Sequence, residues 1–350
     1  MAKDNGNVNL HSSRNAKADE FYTQISFIEN ELKHYKHYFA GKTVFCNCDD
    51  PEYSNFWRYF QMNFYTLGLK KLISTHYEEE KASYRMDIVS TDNGEQCGIP
   101  DFVKTPLQGN GDFRSPECIE ILKEADVVIT NPPFSLFREY LAQLVEYGKK
   151  FIIIANKNAI TYKEVFQLMS DDKIWIGYRN INSDMWLEVP EGQPYEKIVD
   201  GKKLKHIMAC WITNIEITKR YEDLPLFRTY SPEEYPKFDN YDAINVDKVS
   251  DIPCDYFGIM GVPITFMNSY NPEQFEILGL SQKCGYGLES HKFYDDFLEY
   301  RPDGTPTGSK GRKTNGNPVL AGIDPKKNYY SNGTEYVYSQ YARIFIRRKR

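Results

Sequence analysis

The run Val127-Val128-Ile129 passes through Thr130 directly into Asn131-Pro132-Pro133-Phe134, and no other stretch constrains the fold so tightly. Three β-branched apolar residues in a row read as a buried strand. Two prolines in succession lack the N–H groups that a sheet ladder needs, so the strand ends there and the chain turns away from the sheet edge. In open α/β sheets ligands are held just beyond the carboxyl ends of the strands. The Asn131–Phe134 corner therefore stands where a substrate would be held.

The residues of that corner favour one kind of ligand. Pro132 and Pro133 offer carbonyl acceptors without competing donors, and the Asn131 side-chain oxygen adds another acceptor. Such a site suits an amine, for example the exocyclic amino group of a nucleobase, whose lone pair is delocalised into the ring. Acceptors placed on its hydrogens draw the nitrogen toward a tetrahedral geometry and stabilise the positive charge that grows as it attacks. Phe134 supplies a flat apolar face for the base, a contact worth roughly 1–3 kcal/mol.

With 350 residues, 41% hydrophobic and 15% aromatic, the chain can bury the core of one α/β domain and a smaller appended one. No apolar run approaches the roughly 18 residues of a membrane span and the N-terminal residues are polar, so a cytoplasmic protein is expected. Seven cysteines with no C-x-x-C pair predict reduced thiols and no metal site. The formal net charge of −6 is unevenly spread: residues 281–350 carry 13 Lys and Arg against 7 Asp and Glu. Phosphate binding needs a local positive face rather than a basic whole, so this asymmetry is compatible with a nucleic-acid partner.

The element Asp126-x-x-x-x-Asn131-Pro132-Pro133-Phe134 resembles the signature of amino-methyltransferases that use S-adenosylmethionine and act on adenine N6. The longer stretches Asn131–Tyr140, Cys46–Pro51, Asp242–Val246 and Gly261–Phe266 resemble the EcoRI-type DNA adenine methyltransferase family, and the likeness runs from about residue 17 to 280. It implies a Rossmann-like class I methyltransferase fold: a seven-stranded, mostly parallel sheet with helices on both faces, followed by a C-terminal target-recognition region. It also implies methyl transfer from S-adenosylmethionine to N6 of an adenine flipped out of duplex DNA, with Asn131, Pro132, Pro133 and Phe134 as the catalytic corner. The expected partners are double-stranded DNA and a restriction endonuclease, as a separate chain acting on the same site. A monomer is expected.

For the cofactor, the resemblance points to Tyr22 and Thr23 ahead of the first strand, and to Cys46 with Asp49 or Asp50 in the turn after it. Relatives usually have a glycine-rich turn there, whereas this chain has Cys-Asn-Cys-Asp-Asp-Pro, which leaves open which Asp faces the cofactor. Glu78, after the second strand, is placed to accept from a ribose diol. Asp112 and Phe113 match the residues that receive the cofactor's adenine, and Asn131 borders the same site. Tyr178 and Trp186 are alternatives for the second face of the flipped base.

Local patterns predict strands at Thr43–Cys48, Lys71–Tyr77, Lys150–Ala155, Lys173–Tyr178, Ala209–Ile215 and Tyr341–Ile346, and helices from Ile25, over Asn55–Phe64, over Glu117–Lys123 and over Leu136–Tyr147. The expected organisation is a flexible arm at 1–17, a catalytic domain at 18–215 and a DNA-binding region at 216–350. Within that last region Lys310, Arg312 and Lys313 lie in a Gly-rich stretch that reads as a flexible loop, and Arg347 and Arg348 in a basic tail; all five are candidates for phosphate contacts. Three other readings stay open: a cytosine-N4 methyltransferase, an RNA or protein-glutamine methyltransferase, and a DNA-binding module with an inactive cofactor pocket.

Overall fold

The computed structural model describes residues 23–48, 50–79, 81–90, 98–183, 185–189, 192, 194–281 and 287–350. The chain divides into two compact units, Met1–Asn158 with Ile174–Glu216, and Ala159–Lys173 with Ile217–Arg350.

The first unit is built on an eight-stranded mixed sheet. At one end β1 (Thr43–Cys46) pairs in parallel with β2 (Lys71–Thr75), and β3 (Tyr84–Val89) and β4 (Val103–Pro106) extend the sheet by antiparallel pairing. On the other side of β1, β5 (Val127–Thr130) and β6 (Lys150–Asn156) add in parallel. The far edge holds β7 (Trp175–Ile176). Three strands outside this sheet, β8 (Met185–Glu188), β9 (Lys197–Val199) and β10 (Lys202–Ile207), make a small antiparallel sheet of order β8-β10-β9. Finally β11 (Ala209–Thr213) inserts antiparallel between β6 and β7, giving the order β4-β3-β2-β1-β5-β6-β11-β7.

The count corrects the expected seven strands. The additional strand, β3, leads back from β2 and lets β4 take the outer edge, so β3 and β11 run against the other six. Burial follows from position: β1, β5 and β11 are buried throughout, as is β6 from Phe151 to Ala155, whereas edge strand β4 is exposed along its length. Continuous apolar runs are what strands covered on both faces require.

Two of the helices start at a serine whose hydroxyl accepts from their first N–H groups. Helix α1 (Ile25–Leu32) buries Ile28, Glu31 and Leu32. In α2 (Asn55–Met62) the Ser54 hydroxyl accepts from the Phe56 and Trp57 N–H groups, and Phe56, Trp57, Tyr59 and Phe60 are buried. Helix α3 (Pro116–Glu124) combines a Ser115 cap with proline at its first position. Helix α4 (Phe137–Glu146) buries Phe137, Tyr140, Leu141 and Leu144.

Among the described residues the second unit contains α5 (Lys163–Ser170) and nine strands in two sheets. One has β12 (Ile244–Asn245), β13 (Met260–Pro263) and β14 (Phe275–Leu280). The other holds β15 (Leu298–Tyr300), β16 (Pro306–Lys310), β17 (Val319–Ala321), β18 (Tyr329–Ser331) and β19 (Tyr336–Ser339) in the order β16-β15-β18-β19-β17. The final strand β20 (Arg343–Arg348) returns to the first sheet and lies between β13 and β14, pairing antiparallel with both. Phe238, Tyr241, Leu320 and Phe345 share one buried cluster, and Tyr294, Phe297, Val319, Tyr330 and Val337 another.

Two basic stretches are more ordered than the sequence suggests. The expected loop around Lys310 forms β16 and a 3-10 turn, Gly311–Thr314, whose Gly311 and Thr314 are buried. The expected tail is the end of β20, because Arg347 and Arg348 pair with Glu276 and Phe275 of β14.

Candidate active site

Strands β1 and β5 are neighbours, but the chain leaves β1 toward β2 and leaves β5 toward β6. In open α/β sheets such a reversal is where a ligand crevice lies, at the carboxyl ends of the two strands. Several bonds organise it. The Cys48 N–H donates to Thr130 Oγ1 at 3.3 Å, joining the turn after β1 to the end of β5. The Tyr140 hydroxyl of α4 donates to the buried Asn47 side-chain oxygen. Phe113 packs edge-on against Tyr140 at 5.1 Å, and Gln143 Nε2 donates to the Phe113 carbonyl at 3.1 Å. The turn after β1, the corner after β5, helix α4 and Phe113 thus form one connected cluster. Sequence reasoning assigned no role to Asn47 or Tyr140; the signal for them was a polar residue directly after a buried strand and a tyrosine on the apolar stripe of α4.

In the corner itself Pro132 is buried, while Asn131, Pro133 and Phe134 are partly exposed. The Pro133 carbonyl accepts from the Leu136 N–H at 3.0 Å, closing a short 3-10 turn, Phe134–Leu136, that runs into α4. The Pro132 carbonyl accepts from none of the described residues. Asp126, the acidic residue of the same motif, sits at the opposite end of the strand. Its Oδ2 accepts from the Thr43 N–H at 2.8 Å and its own N–H donates to the Thr43 carbonyl, so it clamps the starts of β1 and β5.

The other predicted positions divide. Thr23 is buried beside α2, with its carbonyl accepting from Asn55 Nδ2 at 2.8 Å and its hydroxyl unpartnered among the described residues. Cys46 ends β1, and its carbonyl accepts from the Ser74 hydroxyl. Tyr22 and Asp49 lie outside the described residues. Asp50 is committed to neighbours: Oδ1 accepts from the Tyr84 hydroxyl at 2.8 Å and from the Glu52 N–H, and Oδ2 is 3.6 Å from His76 Nε2. Burial and the adjoining Asp50 carboxylate push the Tyr84 phenol well above its ordinary range.

Glu78 is partly exposed beyond β2, and its N–H donates to the Asn110 carbonyl at 2.9 Å. The loop it grips approaches so closely that a Cβ on Gly111 would collide with the His76 carbonyl, and Gly111 has φ +81°. Asp112 follows in this loop and holds Arg114 by its backbone N–H, Nε and Nη2. Burial opposes ionisation of Asp112, but the Arg114 guanidinium and N–H outweigh it and keep the carboxyl below its ordinary range.

A family model described as "Adenine-specific methyltransferase EcoRI" matches residues 9–349. The chain belongs to that family. The type II methyltransferase M.EcoRI of Escherichia coli is 48% identical over 314 residues, covering 82% of this chain and 96% of that protein. M.MpnI of Mycoplasma pneumoniae, also a type II methyltransferase, is 39% identical over 282 residues, 77% of this chain and 84% of that protein. No solved structure matches the chain. The protein is an adenine-specific methyltransferase.

The residues expected from the sequence to face the base or the DNA have distinct settings. Tyr178 follows β7, whose carboxyl end points the same way as that of β5 with β6 and β11 between them, and its ring is stacked on His34 at 4.1 Å. Trp186 lies in the small antiparallel sheet, with Lys197 Nζ 3.5 Å over its ring and His206 beside it. In the second unit Lys310, Arg312 and Lys313 are exposed, Lys313 lying 3.9 Å from the buried Glu299 carboxylate. Arg347 pairs with Glu276 at 2.6 Å, whereas Arg348 turns toward the Cys254 carbonyl and the Phe257 ring. Among the described residues no helix is long and apolar enough to cross a membrane.

Proposed function

We propose that the protein methylates N6 of an adenine flipped out of duplex DNA, as the modification enzyme of a type II restriction-modification system. The observation that carries this reading is the Asn131-Pro132-Pro133-Phe134 corner, partly exposed at the carboxyl end of β5 beside the end of β1. Asn131 Oδ1 and the Pro132 carbonyl would accept from the two hydrogens of the adenine amino group, and Phe134 would stack on the base. Flipping costs a few kcal/mol, offset by stacking and by phosphate contacts. The Tyr178 ring, backed by His34, is our choice over Trp186 for the second face, because it follows a strand of the same sheet whose carboxyl end points the same way as that of β5.

S-adenosylmethionine, when bound, supplies an electrophilic methyl group. The residues at hand suit it: the buried Thr23 hydroxyl, the partly exposed Glu78 carboxylate, and Asp112 with Phe113 on a loop that only glycine allows so close to β2. Omitting β3 leaves the order β4-β2-β1-β5-β6-β11-β7, with one strand reversed, which supports a class I methyltransferase fold carrying one inserted strand. We assign residues 18–215 to catalysis, residues 216–350 to target recognition and residues 1–17 to an arm. The enzyme would act as a cytoplasmic monomer, with its endonuclease counterpart a separate chain.

Transfer of tritium from labelled cofactor into synthetic duplexes, followed by nucleoside analysis, tests the reading. Label in N6-methyladenine is expected. Label in N4-methylcytosine, in RNA or protein, or nowhere would overturn it.

A further inference from the structure

We infer that Glu31 is a positioning residue for the target base, acting through the backbone that carries Tyr178; this rests on the adenine-flipping reading above. Glu31 is fully buried on the inner face of α1, a costly place for a carboxylate unless its oxygens are well used. They are. Oε1 accepts from the Tyr178 N–H at 2.7 Å and the Tyr35 hydroxyl at 3.0 Å, and Oε2 accepts from the Arg179 N–H at 2.8 Å. Both bonds to the backbone are charge-assisted, the stronger class.

Three further contacts join the same two segments. His34, one turn beyond Glu31, stacks on the Tyr178 ring; Tyr35 meets that ring edge-on at 5.6 Å; and the Arg179 guanidinium lies 4.2 Å over Phe27. Gly177 makes the grip possible, since a Cβ there would collide with Glu31 Oε1 and come within 2.8 Å of Trp211 Cβ. The segment so held continues from β7, whose carboxyl end points the same way as that of β5. At its other end α1 begins two residues after Thr23, a proposed cofactor contact. One short helix therefore links the cofactor side of the site to the base side.

A carboxylate that only stabilised the fold would, when altered, lower stability without a selective effect on the base. Glu31→Gln keeps the shape but presents an amide donor to a backbone N–H, and Gly177→Ala pushes the segment off an intact carboxylate. The target adenine is first mapped with the wild-type enzyme and replaced by 2-aminopurine, whose fluorescence rises on flipping. If the wild type methylated no adenine, the functional reading would fail, not this one. Given wild-type activity, both variants should lose roughly tenfold or more in kcat together with the fluorescence rise, while cofactor affinity stays within about twofold. Combining Glu31→Gln with Tyr178→Ala should cost little more than the worse single change. Normal kcat and fluorescence in either variant, a loss confined to cofactor binding, or failure of both variants to fold would each overturn the proposal.

Discussion

At the scale of single residues, the corner makes the sharpest demand. Asn131→Ala removes one of two acceptors while leaving the proline turn intact, so kcat should fall about 10²–10³-fold, as when one preorganised hydrogen-bonding partner of a reacting group is removed. Cofactor affinity, read by calorimetry, should change only severalfold; near-normal turnover would refute the acceptor role. Asp112 gives a pH test. Its carboxyl titrates below the ordinary range in the folded protein, so its pairing with Arg114 stabilises fully at and above the ordinary carboxylate pKa and is lost only as pH falls through the lowered folded value. Cofactor binding that depends on ionised Asp112 should therefore be flat between about pH 8 and pH 5. A decline already at mildly acidic pH would point to another group. Glu31 shows what a sequence conceals at this scale: an acidic residue on an apolar helical stripe looks like a flaw in the pattern until the N–H groups it receives, nearly 150 positions away, are in view.

Elements were legible in proportion to how locally they are determined. The β5 corner could be read directly because an apolar run and two prolines leave one outcome, and α2 and α3 because their apolar residues recur at helical spacing. The β3–β4 pair was missed: β4 has no buried residue, and β3 has no continuous apolar run, so what holds them is pairing, which leaves little trace in composition. The same holds for the second unit, where short strands such as Pro306–Lys310 alternate between exposed and half-buried residues and resemble a loop. Attachment of the Gly109–Phe113 loop to β2 rests on Gly111. Gly111→Ala combines a left-handed backbone with a carbonyl collision and should destabilise the protein by about 1–3 kcal/mol in urea unfolding. Cofactor affinity should weaken with it. An unaltered unfolding midpoint would mean that the loop is not held as described.

For the whole molecule, an excess of acidic charge is compatible with a DNA substrate where cations are deployed locally. Not all basic residues are equally accessible. Lys310, Arg312 and Lys313 are exposed; Arg347 is exposed too but paired with Glu276, and the half-buried Arg348 is bonded to the Cys254 carbonyl. Neutralising the first three should flatten the salt dependence of duplex binding by up to about 0.9 in slope for each phosphate left without its cation, and neutralising the other two should change it less. Binding isotherms across a salt series decide the point, and the reverse ranking would return the phosphate-binding role to the end of β20.

The central place of β20 also bears on synthesis. Strands β13 and β14 do not pair with each other; each waits for residues 343–348, which leave the ribosome more than sixty positions after β14. At about 5–20 residues per second, that interval is on the order of several seconds. Throughout it, two apolar strand edges face water with nothing between them, and they are the natural targets for chaperones on the nascent chain.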